Sequence, residues 1–157
     1  MNSTNPALVM QPGDAAGALL KNGAFELLAD GGAVSASRLT LATGADGAPP
    51  HRHKLSHELF YVLDGSVLFR LGDTLTTVGK GGLVVIPPHL PHVFGAAEDT
   101  VADMVVVLSP GIERFGYFEQ LAAISRGEAE FASLIPEQDR YDVHFENIPD
   151  WRSGPSQ

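Results

Sequence analysis

The stretch HRHKLSHELFYVLDG, residues 51–65, sets three histidines and a glutamate within eight positions and then runs into an apolar segment that stops at Asp64-Gly65. In an extended chain alternate side chains share a face, so His51 and His53 converge while Arg52 turns away. Two ligands of one metal ion require that arrangement. His57 and Glu58 are neighbours and point to opposite faces, so only one of them can join the pair, and parity alone does not choose between them. Within ELFYVL, Glu58, Phe60 and Val62 share one face, and Leu59, Tyr61 and Leu63 share the other.

Outward from this stretch the chain reads as short strands. ELFYVL (58–63) is rich in aromatic and β-branched residues, and Asp64-Gly65 predicts a tight turn into a returning strand, SVLFRLG (66–72). DTLTTV (73–78) alternates, GKGG turns, and LVVIPP (83–88) is a short buried strand closed by two prolines. HVFGA (92–96) and VADMVVVLS (101–109) add two more, and VSASRLTLA (34–42) precedes the motif. Strand-and-turn units of about eight to twelve residues predict an antiparallel sandwich or barrel. The pattern changes at Ser109, which can cap a helix with Pro110 in its first position. Ile112, Phe115, Phe118, Ala122 and Ile124 then recur at helical spacing up to a stop at Gly127, and EAEFASL (128–134) suggests a second short helical piece. The end of the chain, DWRSGPSQ, reads as a frayed tail. The expected organisation is a single domain: an N-terminal arm with the first strands (1–33), a barrel with the metal site (34–108), and a helical extension and tail (109–157).

Composition narrows the function classes. The chain has no cysteine, so any metal must be held by histidine and carboxylate. Ten Lys and Arg against 19 Asp and Glu give a formal net charge of −9, and the cations are scattered, which argues against a nucleic-acid partner. No stretch approaches the roughly 20 apolar residues of a membrane span. The start of the chain has no basic residue before Lys21 and no sustained apolar core, so a cytoplasmic protein is expected.

The motif spacing resembles that of the cupin superfamily. His51-x-His53, four residues, Glu58, six residues and Gly65 follow the first cupin motif, with its opening glycine displaced to Gly44 or Gly47. Gly81, Pro87 and His92 follow the second motif, in which His89 stands for the usual glycine and Ala96 for the usual asparagine. The resemblance implies an all-β fold, the cupin double-stranded β-helix or jelly-roll barrel, here with a C-terminal helical flap. It also implies His51, His53, Glu58 and His92 as ligands of one divalent transition metal per chain (Fe, Ni, Mn, Co, Cu or Zn), and so selects Glu58 over His57. His57 is then outward-facing, His89 lies in a turn or at the pocket mouth, and His144 lies on the surface.

Parity suggests Phe60, Val62, Phe94 and Met104 as pocket walls, with Phe115 or Phe118 as a lid. With no Lys or Arg cluster joining the motifs, an aromatic or polyketide-like substrate suits this lining better than a sugar phosphate. The short chain resembles bacterial quercetin dioxygenase-like cupins. That resemblance implies a metal-dependent dioxygenase of a small aromatic or enolic molecule, with Glu58 also the catalytic base. A non-oxidative cupin isomerase or cyclase and a non-catalytic ligand-binding cupin are the alternatives. Cupins of this size pair into homodimers, and PALVMQP (6–12) is a candidate for covering an exposed sheet edge.

Overall fold

Side-chain alternation sets which face of each strand turns inward. In the computed structural model, which describes residues 6–154, Ser35, Ser37, Leu39 and Leu41 are the buried positions of one strand, and Ala102, Met104, Val106 and Leu108 those of its partner. Ten strands follow in chain order: β1 (Ala16–Leu20), β2 (Gly23–Ala29), β3 (Ser35–Leu41), β4 (His51–Arg52), β5 (His57–Leu71), β6 (Thr74–Gly79), β7 (Leu83–Ile86), β8 (His92–Ala96), β9 (Ala102–Ser109) and β10 (His144–Phe145). All pairings are antiparallel, in the order β1-β2-β3-β9-β5-β8-β4-β10, with β6 and β7 added on β5. The fold is the cupin double-stranded β-helix, with a small helical part at the C-terminal end. No helix among the described residues is long and apolar enough to cross a membrane.

β5 differs from the reading of the sequence. Asp64-Gly65 does not close a hairpin; His57–Leu71 is one strand of 15 residues. Its first half lies between β7 and β9, and its second half between β6 and β8, so one strand belongs to both sheets. The change occurs at a register shift between Val62 and Asp64, followed by Gly65 with φ +70°. A Cβ on Gly65 would lie 1.8 Å from the carbonyl oxygen of Val101. The Asp-Gly pair reports a backbone that needs positive φ. In this chain the need comes from a bend and a close strand crossing, and the strand continues beyond it.

The interior behind the bend is closed by aromatic packing. The Phe60 ring lies 5.0 Å from that of Phe69 and 4.9 Å from that of Phe94. Val62, Val67 and Met104 are fully buried in the same core.

The helices begin later than the sequence suggests. Ser109 is still in β9, and α1 spans Phe115–Ser125. Its first N–H groups are capped by a distant residue: Asp30 Oδ1 accepts from the backbone N–H of Arg114 (2.6 Å) and of Phe115 (3.2 Å). Gly127, with φ +76°, ends the helix as read. A 3-10 turn over Phe131–Glu137 leads into the short α2 (Gln138–Tyr141).

Residues 6–12 precede β1, which begins at Ala16, and form no strand within the single chain. One further expectation is corrected. The tail is not frayed as far as it is described: Trp151 packs with Leu75 and Val93, Arg152 pairs with Asp46 at 2.8 Å, and Arg70 donates to the carbonyl oxygen of Ser153 at 2.8 Å. Residues 1–5 and 155–157, the ends of the expected arm and tail, lie outside the described residues.

Gly65→Ala is expected to destabilise the chain by more than about 2 kcal/mol, since it combines positive φ with a backbone clash. Urea unfolding of the two proteins measures the difference.

Candidate metal centre

The bend in β5 carries Glu58 to the end of the barrel where the second motif returns. Glu58 pairs with Ile86 on β7 and Leu108 on β9, and His51 on β4 sits opposite His92 on β8. His53 follows β4 directly. All four side chains are buried, none more than 5% exposed, and each offers one ligand atom within 4.8 Å of the others. His57 is exposed.

Each imidazole is oriented by a backbone carbonyl. His51 Nδ1 lies 2.7 Å from the carbonyl oxygen of Pro49, His53 Nδ1 2.6 Å from that of Asp142, and His92 Nδ1 2.9 Å from that of Leu90. A carbonyl oxygen can only accept, so the proton of each neutral ring sits on Nδ1 and the Nε2 lone pair faces the cluster. His92 Nε2 is 3.0 Å from Glu58 Oε1, and His53 Nε2 is 3.5 Å from Glu58 Oε2. His53 Nε2 is buried and has no hydrogen-bond partner among the described residues. Buried lone pairs and a carboxylate facing one another call for a cation between them. Three imidazole nitrogens and one carboxylate therefore fit a divalent transition metal, and the set does not select among Fe, Ni, Mn, Co, Cu and Zn.

The electrostatics agree. Burial, with the neighbouring His92 and His53, holds His51 well below the ordinary histidine range and keeps it neutral. Burial alone raises the carboxyl of Glu58, but His53 and His92 together outweigh it and hold it well below the usual carboxylate range. Burial lowers His53, and the opposing charge of Glu58 leaves it above its ordinary value.

The C-terminal extension completes the site, through residues that no motif marks. Besides its carbonyl bond to His53, Asp142 accepts from the backbone N–H groups of Lys54, Leu55 and Ser56 at 2.8, 3.0 and 3.2 Å. It thereby fixes the loop between His53 and Glu58. β10 pairs with β4, aligning Phe145 with His51. His144, read as a surface residue, is half-buried with Nε2 3.3 Å from Asp142 Oδ1. Arg114, 1% exposed, donates through Nε to the carbonyl oxygen of Tyr141 (2.8 Å) and through Nη2 to Ser56 Oγ (3.0 Å). Its only sequence signal is a lone cation among the apolar positions that open the helix.

A narrow cavity opens on His51, His53 and Glu58; His92 lies against Glu58 and does not reach the wall. Of the residues suggested as walls or lid, Phe94 and Phe118 line it. Phe60, Val62 and Met104 do not; they are fully buried in the core behind it. Phe115 packs against the core outside it. Phe118 stacks on Phe25 at 4.8 Å, and Tyr117, buried, contributes a phenol to the lining. His89 is exposed in a turn with φ +73°, and its N–H donates to the carbonyl oxygen of His53 at 2.6 Å. It holds the left-handed backbone for which the cupin motif uses glycine.

Residues 37–108 match a family model described as the Cupin domain. An uncharacterized protein of Methanocaldococcus jannaschii is 40% identical over 42 residues, which span 27% of this chain and 34% of that protein. Among solved structures, KdgF from Halomonas sp. is similar at 23% identity and TM-score 0.52, over 57% of this chain and 82% of that one. An RmlC-like cupin of M. jannaschii aligns at 20% identity and TM-score 0.53, over 58% and 83%. Streptomyces Pac13, described as a nucleoside dehydratase and solved with uridine, aligns at 14% identity and TM-score 0.55, over 73% and 87%. At these identities the structures speak for the fold alone. The family match spans the barrel strands from β3 to β9, and the solved structures share that fold.

Two outcomes are expected. Asp142→Ala weakens metal binding about 10-fold or more by freeing the 54–56 loop, while His57→Ala leaves it unchanged; titration against a chelator measures both. His53, raised above its ordinary value, must lose its proton when a cation binds, whereas His51 is already neutral. Apparent metal affinity therefore falls as pH drops through the raised titration range of His53, by up to one proton per ion from His53, read from the same titration in buffered steps.

Proposed function

We propose that this cupin-fold chain is a metal-dependent dioxygenase of a compact enolic substrate. The observation that carries the reading is the buried cluster of His51, His53, Glu58 and His92 opening on a largely apolar cavity. A divalent transition metal held by these four residues would supply open coordination positions for a substrate oxygen and dioxygen. Glu58, kept ionised by its histidine neighbours, accepts the proton of an enol hydroxyl brought beside it. Phe25, Leu39, Phe94 and Val106 exclude water from the deprotonated oxygen, and Phe118 covers it. The cavity is small for a three-ring flavonol and favours a smaller member of the same chemical class.

One observation favours a non-oxidative reaction as the second reading. The Tyr117 phenol lines the same cavity, and burial pushes its pKa well up, so it stays protonated. Glu58 as base and Tyr117 as acid form a pair suited to elimination or isomerisation.

Oxygen consumption by the metal-loaded chain, with a panel of small enols, tests the first reading. Stoichiometric uptake is expected, and Glu58→Gln is expected to reduce kcat by about 100-fold or more at matched metal content. Turnover that persists without dioxygen supports the second reading. Binding without turnover contradicts both and leaves a ligand-binding cupin.

A further inference from the structure

Two donor groups in the cavity are not used by the metal centre. Arg114 spends Nε on Tyr141 and Nη2 on Ser56, with Asp142 Oδ2 3.5 Å away, while Nη1 is buried without a hydrogen-bond partner among the described residues. The hydroxyl of Tyr117 is likewise buried and without such a partner. Both residues line the cavity that opens on His51, His53 and Glu58. Arg114 is 1% exposed and Tyr117 is 3% exposed, so neither can turn to solvent without opening the packed C-terminal segment. A buried guanidinium and phenol held with idle donors are costly unless a ligand completes them.

The geometry points to an oxyanion subsite formed by Arg114 Nη1 and Tyr117 Oη, which selects a small carboxylate as substrate. This rests on the reading of the cavity as a small-molecule site. A planar carboxylate presents two acceptor oxygens, matching one guanidinium N–H and one phenol O–H. Asp142 cannot take the place of the substrate, because its carboxylate already accepts from three backbone N–H groups. The substrate is therefore a compact carboxylic acid, anchored by its carboxylate at Arg114 and Tyr117, with its reacting oxygen turned toward Glu58 and the histidines.

The test titrates acetate and its neutral isostere acetamide into the ¹⁵N-labelled full chain, zinc-loaded and metal-free, following amide shifts around the cavity. Acetate is expected to bind at least about 10-fold more tightly than acetamide in both forms. Tyr117→Phe, which leaves every bond of Arg114 intact, is expected to weaken acetate by about 5–10-fold with acetamide unchanged. Arg114→Lys is expected to weaken acetate further, because the flexible ammonium loses the planar donor geometry. Three results overturn the subsite: no preference for acetate, a preference that disappears with the zinc, or a preference that Tyr117→Phe leaves intact. Zinc content, measured on the same samples, reports separately on the metal centre.

Discussion

Three hydrogen bonds from imidazole Nδ1–H groups to backbone carbonyls constrain everything else in the site. They fix the tautomer and the direction of His51, His53 and His92, so that three lone pairs and the Glu58 carboxylate meet in one buried cluster. The carbonyls come from three places: Pro49 just ahead of the first motif, Leu90 in the proline-stiffened loop of the second, and Asp142 far downstream in the C-terminal segment. The barrel brings the ligands close, and the carbonyls aim them. Second contacts of this kind raise ligand basicity and exclude alternative ring orientations.

The Asp142 contact makes the C-terminal extension part of the site rather than a cover over it. Residues 138–145 are tied to the metal loop by the Asp142 carboxylate, by β10 on β4 and by the Arg114 bridge between Ser56, Tyr141 and Asp142. Because α1 also supplies Tyr117 and Phe118 to the cavity, one segment both orients a ligand and lines the space above it. Removal of the extension would release His53 and open the interior to water together, coupling metal retention to substrate enclosure.

Much of this was legible in the sequence, because parity and spacing are local properties. The strands after Leu83, the separation of Glu58 from His57 and the convergence of His51 with His53 follow from period-two alternation and the cupin spacing. Four features escaped for stated physical reasons. Asp64-Gly65 encodes a positive-φ bend, which a hairpin and a strand crossing both require, and only the neighbour at Val101 distinguishes them. The start of α1 is set by Asp30, more than 80 residues away, so the local Ser109-Pro110 signal was misleading. Phe60, Val62 and Met104 do face inward as parity predicts, but the barrel is packed solid at their level, and parity carries no depth coordinate. Arg114 and Asp142 lay outside any motif and became part of the site only through tertiary contact.

The central claim is that His51, His53, Glu58 and His92 hold one metal ion. Elemental analysis of the purified chain, and of His92→Ala, after expression with Fe, Ni, Mn, Co, Cu and Zn supplied in turn, tests it most directly. The account predicts about one ion per chain in the original protein and its loss in the variant, with far-ultraviolet circular dichroism unchanged. A chain that takes up no metal under any supply, or a variant that keeps its ion, would contradict it.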